Sequence, residues 1–169
     1  MGIVINQSIK NIVITYFGFG IGAINALFLY TNFLDKEYYG MVTFLLSASS
    51  IMMPLMSFGV HSTLIRFYSR YTDVAEREKF MTFMLFMPLL LIIPITLITY
   101  FFYDQIAFLI LEKNPETKPF LWLIPIIGIC MGYFEVYYAW VKVHMKSVIG
   151  NFISEVLVRV VIMLMLFSV

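Results

Sequence analysis

The chain alternates between five long apolar stretches and four short connections that carry most of its charge. A transmembrane helix needs about 20 mainly apolar residues. A transmembrane barrel strand needs only about 10, with strict alternation of apolar and polar residues, and this sequence has no such alternation. The pattern therefore predicts five membrane-spanning helices. We place them at residues 11–33, 40–60, 80–103, 119–140 and 147–169.

Composition narrows the class of protein further. Apolar residues form 62% of the chain and charged residues 12%, against about 45–50% and 25% in soluble domains. A soluble protein of 169 residues lacks the interior to bury that much apolar surface. The formal net charge of +1 argues against a nucleic-acid partner. We expect an all-α polytopic transmembrane helix bundle, forming one domain over residues 1–169, with the lipid bilayer as its surroundings.

The distribution of basic residues predicts the orientation of the chain. Seven Lys and Arg residues lie on the N-terminal segment and on the second and fourth connections, and three lie on the first and third. Because cytoplasmic segments are enriched in Lys and Arg, the N-terminus is predicted to be cytoplasmic. The second connection also holds the carboxylates Asp73, Glu76 and Glu78, and we expect a solvated, salt-bridged turn there.

Three predicted spans carry small or polar residues at spacings of three and four, with Leu29 filling the one gap, between Asn25 and Asn32, and this places those residues on one face of each helix. These faces are Asn11, Thr15, Gly18, Gly22, Asn25 and Asn32; Gly40, Thr43, Ser47, Ser50, Pro54, Ser57 and His61; and Pro125, Gly128, Gly132, Glu135, Ala139 and Lys142. Two interpretations stay open. The faces pack helices together, which is favoured for the glycines and serines, or they line a water-filled cavity. Asn25 and Ser50 are candidates for the cavity wall.

Formal charges inside the spans indicate a functional site more specifically than the small and polar residues do. Glu135, Glu155 and Arg159 are the only ones well inside the predicted spans. Intramembrane ionisable residues are costly and usually mark substrate or ion pathways, so all three are candidates for a substrate cavity. Glu155 and Arg159 are four residues apart on one helix and partly neutralise each other if they pair. The alternative is a structural ion pair that holds the helices together.

Motifs for catalysis or cofactor binding are absent from the sequence. It contains no zinc-protease, hydrolase-elbow or phosphate-loop motif. Cys130 is the only cysteine, and the two histidines, His61 and His144, stand far apart. We therefore expect neither an enzyme, nor a metal site, nor a cofactor.

Several short motifs, taken in their order relative to the spans, suggest a family. They are Met1-Gly2-Ile3-Val4, Ser8-Ile9-Lys10, Leu34-Asp35-Lys36-Glu37-Tyr38-Tyr39-Gly40, and Gly59 followed by Arg66-Phe67-Tyr68. Together with the Gly-rich first span, they resemble the N-terminal part of polysaccharide biosynthesis flippases. These are the Wzx-like members of the multidrug/oligosaccharidyl-lipid/polysaccharide exporter superfamily. The resemblance runs over most of the chain.

The resemblance implies a larger transporter of a dozen or more helices in two pseudo-symmetric lobes, of which this chain is most of the first. Such a protein carries a glycan linked to a polyprenyl diphosphate lipid across the bacterial cytoplasmic membrane. Carried over by position, Asn25, Ser50, Glu135 and Arg159 face the central cavity. Arg159 is suited to hold phosphate, because a guanidinium group binds it bidentately, although Glu155 competes for it.

Three hypotheses follow from the sequence. The leading one is a flippase of lipid-linked oligosaccharide that works by alternating access and is present as an N-terminal part, because the last apolar run has no flanking anchor. The missing C-terminal lobe is then a required partner. The second is a related drug or cation exporter. The third is a non-transport membrane protein that scaffolds partners through its glycine faces.

Overall fold

A computed structural model describes residues 2–111 and 115–168. All regular elements in these ranges are helical and none is a β-strand, which confirms the predicted all-α fold class. The α-helices of the described residues are α1 Gly2–Ile24, α2 Tyr30–Phe33, α3 Lys36–Ser57, α4 Val60–Phe67, α5 Val74–Phe101, α6 Tyr103–Leu111, α7 Leu123–Val143, α8 Ser147–Phe152 and α9 Val158–Phe167.

Five helical stretches are long and apolar enough to cross a membrane, by length and composition, and they indicate a membrane protein. Their number agrees with the five predicted spans. The first joins α1 to α2 through a π-helical segment, Asn25–Leu29, and the fifth joins α8 to α9 through another, Ile153–Leu157. The five stretches are Ile5–Phe33, Lys36–Ser57, Val74–Phe101, Leu123–Val143 and Ser147–Phe167.

The ends of the spans differ from the predicted ones for local reasons. The second span stops at Ser57, because Phe58 and Gly59 adopt left-handed backbone angles, with φ of 47° and 65°. The third span starts six residues earlier than predicted, at Val74. Asp73 begins it as an N-cap, since its carboxylate accepts a hydrogen bond from the Glu76 backbone N–H at 3.4 Å. Val169, the predicted end of the fifth span, lies outside the described residues.

The chain divides into two compact units. The terminal unit combines Met1–Gly40 with Val141–Val169, so it holds the first and the last of the five spans. The central unit is Met41–Trp140 and holds most of the other three.

Each unit buries a small apolar core of its own. In the terminal unit the buried apolar side chains include Leu29, Val156 and Leu166. The central unit has a cluster in which partly buried Met41, Phe44, Ala48, Met52 and Leu123 pack around buried neighbours. Those buried neighbours are Leu45, Ala107, Leu121 and Ile124.

Large apolar side chains cover the outside of the helices in both units. Tyr16 and Phe19 of α1, Ile51 of α3 and Leu90 of α5 are each about two thirds exposed or more. In water such a surface drives aggregation, whereas in a bilayer lipid chains cover it. The exposed apolar surface therefore fits helices that face lipid.

Candidate functional site

The first and last spans of the terminal unit meet along a row of polar side chains, which we call the amide seam: Asn11, Thr15, Asn25, Ser147 and Asn151. Asn11 Nδ2 donates to Ser147 Oγ at 3.1 Å. Asn151 Nδ2 donates to the backbone carbonyl of Asn11 at 3.1 Å and lies 3.2 Å from Thr15 Oγ1. The face that the spacing of polar residues predicts on the first span is therefore a contact face between two helices.

Asn25 extends the seam deeper into the apolar part of the first span. Its side chain is 2% exposed, and Nδ2 donates to the backbone carbonyl of Arg159 at 2.9 Å. Asn32, assigned by spacing to the same face, is exposed and bonds the Phe28 carbonyl of its own helix at 2.7 Å. In the terminal unit, then, Asn25 serves the contact between the spans, and Asn32 takes no part in it.

Two glycines let the helices approach closely beside the amide seam. A Cβ atom added at Gly18 would lie 2.8 Å from the Glu155 carbonyl carbon and 2.9 Å from its Cβ. One added at Gly22 would lie 3.1 Å from Arg159 Nη1 and 3.2 Å from its Cδ. Gly18 thus admits the backbone of the last span, and Gly22 admits the side chain of Arg159. This is the packing role expected for small residues in membrane helices.

Glu155 and Arg159 form an ion pair within the last span. Arg159 Nη2 lies 2.9 Å from Glu155 Oε2, and the two side chains are 31% and 30% exposed. The guanidinium group is therefore bound by the Glu155 carboxylate on one side and packs against Gly22 on the other. About a third of the Arg159 side chain stays exposed.

Two of the three candidate residues in the terminal unit, Asn25 and Glu155, fall in π-helical segments, and the third, Arg159, lies in α9. Asn25 begins the segment Asn25–Leu29, and Glu155 lies inside Ile153–Leu157. A π-helical turn is rare and frequently occurs at functional sites. The spacing rule assumes an unbroken α-helix, so the sequence pattern gives no signal for either segment.

The other two candidates, Ser50 and Glu135, lie in the central unit. Ser50 is exposed and donates to the Ser47 carbonyl of its own helix at 2.7 Å. Glu135 is half-buried on α7 and makes no ion pair or hydrogen bond within the described ranges. The Tyr133 hydroxyl, two residues earlier, is buried and also makes no hydrogen bond there, so it does not hold the carboxylate.

Helices α3 and α7 meet at a second contact in the central unit, which we call the glycine seam: Ser49, Ser57, Gly128 and Gly132. Ser49, fully buried, donates to the Ile124 carbonyl at 3.1 Å. A Cβ added at Gly128 would lie 3.3 Å from Met52 Cβ, and one added at Gly132 would lie 3.3 Å from the Ser57 nitrogen. Sequence reasoning singled out Ser50 and missed its neighbour Ser49, because the polar face was followed through every third or fourth residue.

An apolar cavity of about 730 Å³ opens between α3, α5, α6 and α7 of the central unit. Most of its wall is aliphatic or aromatic, with Tyr100 and Trp122 among the rings. Thr96, Thr99 and the carboxylate of Asp104 are its main polar groups. Asp104 is exposed and has no ion-pair partner among residues 2–111 and 115–168.

The second connection is built differently from the predicted salt-bridged turn. Within the described chain, none of its arginines lies within 4 Å of a carboxylate, so the expectation of salt bridges is wrong there. The guanidinium carbon of Arg70 lies 4.8 Å from the centre of the Phe67 ring, and that of Arg66 lies 5.9 Å from the same ring. The guanidinium carbon of Arg77 lies 5.2 Å from the Tyr68 ring centre. Cation–π contacts replace the expected ion pairs.

The geometry defines an all-helical membrane protein with an ion pair and buried amides inside its spans. Among the described residues, no group of three or more His, Cys, Asp or Glu side chains is arranged to hold a metal ion. No protein-family model, no curated protein and no solved structure matches the chain.

Proposed function

We propose that the chain is part of a transporter that flips a lipid-linked oligosaccharide across the bacterial cytoplasmic membrane. The N-terminus is cytoplasmic, the transport step is alternating access, and no covalent chemistry takes place. The sequence resemblance to Wzx-like flippases and the five apolar helices support this proposal. The substrate class is a glycan joined to a polyprenyl diphosphate.

The observation that carries the proposal is the exposed part of the Glu155–Arg159 ion pair. A purely structural pair inside a bilayer is expected to be fully enclosed, since a charge exposed to hydrocarbon is costly. Here about a third of each side chain stays accessible. A partly exposed arginine side chain in an apolar span suits a phosphate, which a guanidinium group binds through two parallel N–H···O bonds.

Glu155 gives the site a way to release its substrate. The carboxylate already occupies Nη2 of Arg159, so a phosphate competes with an internal anion for the same guanidinium group. Competition of this kind weakens binding, and a carrier needs binding that is favourable yet reversible. We assign Arg159 to binding the diphosphate and Glu155 to returning the guanidinium group to its resting contact.

The test is made in cells that lack the gene and carry it back on a plasmid in full length. We expect the deletion to abolish surface glycan and to accumulate lipid-linked precursor in the inner leaflet. Arg159→Ala should lower export by about tenfold or more, the loss expected for a hydrogen bond to a charged group. Arg159→Lys should restore part of it, because the charge remains while the bidentate geometry is lost.

The matched control is Asn32→Ala, which removes an exposed amide that bonds only its own helix. It should leave export unchanged. Normal surface glycan in cells that produce only the Arg159→Ala protein would contradict the role of Arg159. Normal glycan after deletion of the gene would contradict the flippase assignment itself.

A second function, export of amphiphilic cations, is favoured by the cavity of the central unit. Its aromatic rings and the carboxylate of Asp104, which has no ion-pair partner among residues 2–111 and 115–168, match a cation with an apolar body. This function predicts that Asp104→Asn raises the sensitivity of cells to such cations and leaves surface glycan intact. The flippase function predicts that Arg159→Ala lowers surface glycan and leaves the sensitivity to such cations unchanged.

A further inference from the structure

Three arginines lie at the junction of the second and third spans: Arg66 on α4, Arg70 just after it, and Arg77 in the first turn of α5. We call Arg66, Arg70 and Arg77, with the rings of Phe67 and Tyr68, the arginine surface. Within the described chain none of the three guanidinium groups makes a hydrogen bond or an ion pair. All of these residues belong to the central unit.

The burial pattern of α4 fixes which side of the segment is available. Val60 and Leu64 of this helix are each 1% exposed, so they anchor it to the rest of the central unit. Arg66 and Arg70 are exposed. Arg66 therefore lies on the side of α4 that faces away from its apolar anchor, Arg70 is exposed just beyond the helix, and Arg77 on α5 is half-buried.

Stacking on the rings holds the guanidinium groups in place without using their donors. A guanidinium group over a ring contacts it through its flat face or edge, and most of its five N–H groups stay free for other partners. Arg66 and Arg70 share the Phe67 ring, and Arg77 lies over the adjacent Tyr68. Three guanidinium groups are thus held against two adjacent rings.

The carboxylates that follow in the sequence do not neutralise this surface by direct contact. Asp73 is used as the N-cap of α5, where it accepts from the Glu76 backbone N–H. Glu76 and Glu78 are exposed and form no ion pair with the three arginines within 4 Å. An anion of suitable shape therefore meets unpaired donors.

The position along the chain places the arginine surface beside a membrane surface. Arg66 and Arg70 lie between the end of one span, Ser57, and the start of the next, Val74, and Arg77 lies in the first turn of that next span. Tyr71 stacks on Phe80 of α5 with 4.8 Å between ring centres, which ties the segment to the end of that span. Aromatic rings of this kind are typical of the level of lipid headgroups.

We propose that the arginine surface binds the headgroup phosphate of an anionic glycerophospholipid. Arginine forks match phosphate oxygens bidentately. The anionic lipids of a cytoplasmic leaflet attract basic segments next to a span. This inference does not depend on the transport function proposed above, because its ligand is a lipid of the surrounding bilayer and its residues are separate from Glu155 and Arg159.

The test measures lipid selectivity with spin-labelled lipids and the purified full-length protein in vesicles of phosphatidylcholine. Spin-labelled phosphatidylglycerol and spin-labelled phosphatidylcholine are compared by the fraction of label that the protein immobilises. We expect a preference for phosphatidylglycerol. A basic residue near an anionic surface contributes roughly fivefold to binding. Changing all three arginines to Gln should therefore remove most of the preference, and Arg70→Gln alone should reduce it by a smaller factor.

The matched control removes three positive charges elsewhere, as Lys36→Gln, Lys118→Gln and Lys146→Gln. It should keep the preference, and an equal loss in this control would contradict a site at the arginine surface. Changing the three arginines to Lys should lose part of the preference. Full retention would overturn phosphate recognition in favour of simple charge attraction.

Competition separates the lipid from a soluble phosphate ligand. Inorganic phosphate, added at the same ionic strength as a chloride control, should leave the lipid preference unchanged. Displacement of the lipid by inorganic phosphate would assign the surface to a soluble anion and overturn the proposal. Unchanged selectivity in the triple Gln variant, with circular dichroism showing an intact helical fold, would also overturn it.

Discussion

The terminal and central units hold their helices together by different chemistry. In the terminal unit two spans meet through side-chain amides and a glycine that admits a backbone. In the central unit α3 and α7 meet through two glycines and one buried serine hydroxyl. The difference shows that a row of small and polar residues on an apolar helix has at least two structural outcomes in one chain.

This difference affects how strictly each unit fixes its register, which is the position of one helix along the other. A hydrogen bond such as that from Asn25 to the Arg159 carbonyl is satisfied at only one position along the partner helix. Small residues allow close packing but fix the position less strictly, since van der Waals contact is available after a small shift. The terminal unit therefore specifies its pairing more sharply, and the following substitutions test that contrast from the largest expected effect to the smallest.

Gly18→Ala should give the largest loss. The added Cβ would lie 2.8 Å from the carbonyl carbon of Glu155, so a backbone must move. Overpacking of this kind costs about 1–3 kcal/mol. The free energy of unfolding in mixed detergent micelles measures it. Gly20→Ala is the matched control, because a Cβ there meets nothing within 4 Å. Equal stability of the two variants would contradict the close approach.

Asn25→Ala should lower the free energy of unfolding by about 1 kcal/mol, above the average of about 0.6 and below the maximum of about 1.7 for hydrogen bonds between membrane helices, because it removes a larger buried side chain than Ser49→Ala does. The lost bond is the one to the Arg159 carbonyl. Asn32→Ala removes an exposed amide that bonds only its own helix, and it should be close to neutral in the same measurement. If both variants lost the same amount, the amide seam would have no special role in joining the spans.

Gly132→Ala should cost less than half as much as Gly18→Ala. Its added Cβ would lie 3.3 Å from the Ser57 nitrogen and 3.5 Å from the Met53 carbonyl oxygen. A shift of a few tenths of an ångström relieves that contact. The measurement is the free energy of unfolding of both variants, Gly132→Ala and Gly18→Ala, in the same micelles. A larger loss at Gly132 than at Gly18 would reverse the contrast between the units.

Ser49→Ala should give the smallest measurable loss, about 0.6 kcal/mol, which is the average for hydrogen bonds between membrane helices. Its hydroxyl is buried and joins α3 to the Ile124 carbonyl. Ser50→Ala is the adjacent control, since that hydroxyl bonds only Ser47 of its own helix. A larger effect at Ser50 would favour its predicted role over the one observed for Ser49.

The spans could be predicted from the sequence because hydrophobicity and length decide them. Their ends could not, because they depend on local backbone states such as the left-handed Phe58 and Gly59. The side chains of Asp73 and Arg70 illustrate the same limit. Composition predicts salt bridges in their connection. In the structure, Asp73 caps a helix and Arg70 stacks on the Phe67 ring.

The candidate site was predictable in part for a related reason. Charge inside an apolar run identifies Glu155 and Arg159, and their spacing of four residues predicts the observed pair. Which partner covers Asn25, and that Ser49 rather than Ser50 is buried, depends on how helices are rotated against each other. A spacing rule for a single helix contains no such information, and it also does not detect the two π-helical segments.

The most direct test of the central claim is glycan export by the full-length protein with its intramembrane ion pair reversed, as Glu155→Arg combined with Arg159→Glu. Reversal keeps both charges and their spacing, so we expect a folded protein in the membrane. The account predicts that this protein exports little glycan, because the guanidinium group no longer packs against Gly22. Export at the wild-type level would contradict the account and make the pair a structural one.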